Sequence, residues 1–102
     1  MEGTWTNLEG SMKLVSDSGA IKLPYHAKEV NIVIANPATL RIELDGSPLP
    51  AEYRGTDITD WGILNSSEDG LYNIIKSEFA ASHLLEIYID KPGFEIYTFT
   101  FG

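Results

Sequence analysis

The chain has 102 residues, seven basic and fifteen acidic side chains, a net charge of −8 and no cysteine. That length suits one domain, residues 1–102, with a single core and no disulfides. The absence of thiols excludes cysteine redox catalysis and thiolate metal sites in this chain, and the acidity disfavours nucleic-acid backbones and anionic membranes. No apolar run reaches membrane-spanning length, and "MEGTWTNLEG" lacks the basic start and apolar stretch of a signal peptide. The chain is therefore expected to be cytoplasmic if Met1 is its native start. Otherwise it is a domain cut from a longer protein.

In chain order the dominant period is two, the mark of half-buried strands. "AIKLPYHA" places Ile21, Leu23 and Tyr25 together and Lys22 and His26 opposite, with Pro24 pointing to an edge strand or a bulge. "EVNIVIAN" turns Val30, Ile32 and Ile34 inward. "TLRIELDG" puts Leu40, Ile42 and Leu44 on one face and Arg41 and Glu43 on the other, and ends in an Asp45-Gly46 turn. Residues 46–60, "GSPLPAEYRGTDITD", form the longest loop. "LYNIIKSEFAAS" fits either period. It is read as a strand over 71–76, followed by an irregular or one-turn helical stretch to about residue 82. "HLLEIYID" aligns Leu85, Ile87 and Ile89. The closing "GFEIYTFTFG" aligns Tyr97, Phe99 and Phe101, which are expected to face the core from a central or well-paired strand. The sum is an all-β domain, an antiparallel β-sandwich of jelly-roll-like form with about eight short strands.

Chemistry is sparse in this pattern. His26 and His83 stand next to strand residues with no spaced nucleophile, and both read as solvated surface groups rather than parts of a triad. Glu52, Asp57 and Asp60 share one loop, but three carboxylates among fifteen are weak grounds for a glycosidase pair or a calcium site, and no EF-hand spacing occurs. Exposed aromatic rings can stack on sugars. Tyr25, Tyr53 and Tyr88 have polar neighbours or fall on a polar strand face, so they are the better candidates for exposure; the core is still the expected place for most of these rings, and Trp5 and Trp61 fit it as well. The ligand-binding candidates are Tyr53, Trp61, Asp57 and Asp60. No catalytic residue, metal or cofactor is expected.

The order of several elements resembles a known family. Trp5 and Gly10 come first, then Ala27 with Val30, Ile32 and Ile34, then Ile42, Leu44, Asp45 and Gly46. Gly55 and Asp57 follow, then Leu71 and Tyr72, and finally Gly93, Tyr97, Phe99, Thr100, Phe101 and Gly102. This order is similar, over nearly the whole chain, to the C-terminal β-sandwich domain that follows the thioredoxin-like domain in DipZ-type thiol–disulfide interchange proteins. The terminal Y-x-FTFG is its most specific element. The resemblance implies a carbohydrate-binding-module-like sandwich acting as a non-catalytic accessory domain outside the cytoplasm, periplasmic or at the cell surface. Its partner would be its own redoxin domain, a protein client or a glycan, and the redox chemistry would lie in the separate Cys-x-x-Cys domain. A stand-alone carbohydrate-binding module and a small enzyme using loop carboxylates are the alternatives.

Overall fold

The computed structural model describes residues 2–59 and 61–102, and they form an antiparallel all-β domain. Eight strands succeed one another: β1 (Trp5–Leu8), β2 (Ser11–Leu14), β3 (Gly19–Ala35), β4 (Ala38–Leu44), β5 (Ser47–Pro48), β6 (Ile63–Ser66), β7 (Gly70–Ile89) and β8 (Glu95–Phe101). A one-turn 3-10 helix, Ala51–Tyr53, lies in the long loop. The sheet order is β1-β2-β8-β3-β7-β4-β5, with β6 beside β4. The strands are not all short, because β3 has 17 residues and β7 has 20.

These two strands pair along their whole length and serve different neighbours at each end. The first half of β3 runs beside the second half of β7, which also carries β4. The second half of β3 runs between the first half of β7 and β8. The molecule measures 35 × 25 × 24 Å, too thick for one flat sheet. The sheet folds over on itself, and residues from both ends meet in a single core. Period two delivers that core: Val30, Ile32, Ile34, Leu40, Ile42, Leu85, Ile87 and Ile89 are all buried.

Two departures from period two follow from bulges. Register slips between Val30 and Asn31, leaving Ile74 as an extra residue on β7. Ile74 and Ile75 are consequently both fully buried. A second slip sets residues 77–80 against Lys28 alone. Ser77 Oγ holds this excursion by donating to the carbonyls of Lys28 (3.0 Å) and Phe79 (2.9 Å). So residues 71–89 are not a strand followed by a helical turn. They form one strand with an irregular middle, because Ala81–Ile89 still pairs with β3.

The third departure corrects the reading of β8. Ile34 pairs with Ile96 and Val33 with Thr98, so Tyr97 is an extra residue. The bulge shifts the phase. Phe94 and Ile96 reach the core, Phe99 packs against it half-buried as expected, and Tyr97 and Phe101 are exposed instead. The strand is central only at Glu95 and Ile96, where β2 covers its second edge.

Candidate functional site

The outward face of β3, β7, β4 and β6 is built by register. Ala20, Tyr88, Arg41 and Ile63 form one cross-strand row, and Lys22, Glu86 and Glu43 form the next. Arg41 points outward because Leu40 and Ile42 point inward. Its guanidinium carbon lies 4.5 Å from the centroid of the Tyr88 ring, a cation–π contact. Its Nε sits 3.2 Å from a Glu43 oxygen. Glu43 and Glu86 stand directly opposite each other, a costly like-charge pair. Arg41 beside Glu43 and the Tyr88 hydroxyl, which donates to Glu86, offset that cost. The phenol of Tyr88 is pushed up to about 12, first because Glu86 holds its proton and then through desolvation and the neighbouring carboxylates.

This row floors a groove of about 740 Å³. Glu2, Ser18, Thr39, Arg41, Tyr88, Asp90 and Lys91 supply its polar lining. Two cations, two carboxylates, three hydroxyls and an aromatic ring converge there. That set can orient a polar ligand by hydrogen bonds and stacking. Neither histidine nor cysteine lines it, and among the described residues no cluster of histidine and carboxylate side chains is arranged to hold a metal ion.

A second, shallower depression of about 580 Å³ holds both histidines. His26 Nδ1 lies 2.7 Å from Ser82 Oγ. His83 Nδ1 lies 2.6 Å from Asp45 Oδ2, and the other Asp45 oxygen accepts the Leu84 N–H at 2.8 Å. Ser82 and His83 are consecutive on a strand and face opposite ways. The carboxylate therefore orients the wrong histidine for a Ser–His–Asp relay. Contrary to the sequence reading, His83 is no solvated group: its side chain is only 17% exposed, and Tyr25 and Tyr53 pack their rings at 6.1 and 5.2 Å. Tyr25 is likewise not an exposed ring. It is 9% exposed, and burial, with the Asp45 charge behind it, pushes its phenol up to about 12.

Asp45 locks the β4–β5 hairpin onto β7. Asp45 and Gly46 both have positive φ, 53° and 82°, as a two-residue hairpin turn requires. The Leu84 N–H, then His83, hold the Asp45 carboxyl below its usual range. A depressed carboxylate stabilises the fold above its unfolded value, and that stability is lost as pH falls through the folded value. Asp45→Asn should therefore be less stable than wild type at neutral pH, with the gap closing below about pH 4. Urea melts of both proteins across that range test it, and a gap independent of pH would rule the clamp out.

The ligand-binding candidates chosen from sequence lie elsewhere. Tyr53 ends the 3-10 helix, half-buried and edge-on to His83. Asp57 accepts the Asn73 N–H at 2.7 Å and so fixes its loop on β7. Trp61 is 85% exposed. Asp60 lies outside the described residues. Tyr53, Asp57 and Trp61 line neither depression. Alternation already marks Arg41 and Tyr88 as outward-facing. Their adjacency depends on the β4–β7 register, which no local pattern carries.

Comparison with known proteins adds a family. The model of the family described as the thioredoxin like C-terminal domain matches residues 1–102. Protein DipZ of Mycobacterium bovis and Protein DipZ of Mycobacterium tuberculosis are each 30% identical to this chain over 103 residues. The match covers 100% of this chain and 13% of either relative, so the chain spans a small part of their length.

Proposed function

The chain belongs to the thioredoxin-like C-terminal domain family, and from that membership we propose that it is a non-catalytic recognition domain attached to a thioredoxin-like protein working outside the cytoplasm. The observation that carries the reading is the Arg41–Tyr88 groove on a chain with no cysteine. Thiol chemistry has to come from another domain. What this domain offers is a polar, aromatic-floored surface, and Arg and Tyr are the residue types that anchor protein interfaces. In this reading the groove docks the domain's own redoxin domain or a protein client. No helix of the described residues is long and apolar enough to cross a membrane.

An NMR titration tests the proposal, with the thioredoxin-like domain of the same protein added in trans. The expected result is shifts at Arg41, Thr39 and Tyr88, and about tenfold weaker binding for Arg41→Ala. Unmoved groove resonances at millimolar partner would sink it.

The exposure of Trp61 favours a second reading, a glycan contact through loop 46–62 that includes Tyr53, Asp57 and Asp60. An oligosaccharide panel should then shift that loop and leave the groove unchanged.

A further inference from the structure

Three long stretches of backbone lie at the margins of this sheet, and two are protected. The first half of β3 presents Lys22 and Pro24 at its open edge, and Glu2 bridges Ala20 beside them. A charged side chain and a residue without an N–H are common means of blocking strand addition. The first half of β7 is covered by the long loop. Arg54 bridges Ile75, the Gly55 N–H donates to the Ile74 carbonyl at 3.0 Å, and Asp57 accepts the Asn73 N–H.

The end of β8 has neither device. β2 leaves β8 after Ile96, and none of the other described strands pairs with that edge beyond it. Tyr97-Thr98-Phe99-Thr100-Phe101 contains no charge and no proline. Its hydrogen-bond phase is fixed by Gly102 and Glu29, which exchange N–H···O bonds of 3.0 and 3.3 Å. Alternation from that pair gives Thr100 and Thr98 the bonds to β3. Phe99 and Phe101 therefore turn their N–H and C=O groups away from β3. The outward Phe99 carbonyl takes only a 3.2 Å bond from its neighbour Thr98 Oγ1. Phe101 stacks on Tyr25 and still leaves half its surface, 51%, in water.

We infer that this edge is a self-association site, where β8 pairs antiparallel with β8 of a second copy about a two-fold axis through Thr100. In that register Phe99 lies opposite Phe101 of the partner copy, and Phe101 opposite its Phe99. The outward backbone groups then meet outward backbone groups, and Thr100 faces its own copy at the close, non-hydrogen-bonded position. Phe-Thr-Phe reads the same in both directions, so one strand complements itself, as an isologous contact requires. The register begins beyond the β2 hairpin and avoids it. No charge on the paired strands opposes another, although each copy carries −8 overall. A ladder this short buries less than the ~1,200 Å² of a stable interface, so the dimer is transient. Salt strengthens it by screening the repulsion between copies.

Sedimentation equilibrium on the 102-residue chain, from micromolar to millimolar and at low and high salt, should show a monomer–dimer equilibrium that tightens with salt. Thr100→Lys and Thr100→Glu each set like charges against each other across the axis and should weaken the dimer about tenfold. Mixing the two variants should restore association as a heterodimer, which a general loss of folding would not do. Amide exchange provides a readout that needs no variant. Phe99 and Phe101 should gain protection as concentration rises, while Thr98 and Thr100 stay protected throughout. A wild-type chain that remains monomeric at millimolar concentration in high salt overturns the inference. So does a dimer whose Phe99 and Phe101 amides exchange independently of concentration, or one that Thr100→Lys leaves as tight as wild type.

Discussion

Replacing Ile87 with alanine should destabilise the domain by about 3–4 kcal/mol. Ile87 is fully buried in the middle of the second half of β7, with Ile21 of β3 opposite it on one side and Ile42 of β4 on the other. Both neighbours are held by their own backbone ladders, so the cavity cannot collapse easily. Truncation loses the transfer energy of the missing methyl groups and the contacts around the void. A domain of this size has about 5–15 kcal/mol in total, so the variant approaches the limit of folding. Urea unfolding should show a midpoint shift at unchanged slope, and melting should fall by roughly 15–25 °C. Thr39→Ala, on the outward face of β4, is the control and should stay within about 0.5 kcal/mol. A loss below about 1 kcal/mol for Ile87→Ala would mean that the core is not packed as described.

The second large effect is expected at Gly55, for a different reason. A Cβ there would lie 2.3 Å from the Asn73 carbonyl oxygen, 2.5 Å from its carbon and 2.6 Å from the carbonyl carbon of Ile74. All three are backbone atoms of β7 and cannot swing aside. Gly55→Ala must lift the loop off the strand, at a cost of about 3 kcal/mol or more. The bonds from the Gly55 and Asp57 N–H groups to β7 would go with it, and so would the Asn73 N–H bond to the Asp57 carboxylate. Amide exchange should show Gly55, Asp57 and Asn73 losing protection together. Asp57→Ala keeps the close approach and removes one charge-assisted bond, so it should cost less, about 1–3 kcal/mol. Equal losses in the two variants would show that the fit of the backbone is not what holds the loop. The Gly-x-Asp element is thus a latch for the β7 edge.

Much of the architecture is legible in the chain because the relevant signal is local. Arg41 and Glu43 alternate with Leu40, Ile42 and Leu44, and a strand with one wet face needs nothing more to declare itself. Asp45-Gly46 names its own hairpin turn through two positive φ angles. The ordered residues from Trp5 to Gly102 that resemble the thioredoxin-like C-terminal domain are matched by that family over residues 1–102.

What the chain does not carry is phase after an insertion. Tyr97 and Ile74 each add one residue to a strand, and every side chain beyond changes face. A period-two reading of "YTFTF" therefore places Tyr97 inside, whereas the pairing with β3 brings Ile96 and Phe94 to the core. The groove is hidden from sequence for the same reason. Arg41 meets Tyr88, and His83 meets Asp45, only because β4 and β7 pair at one register. Alternation along a strand is a property of its own backbone. The side chain that lies across from it is decided by a partner far away in the chain, and only the folded sheet fixes that choice.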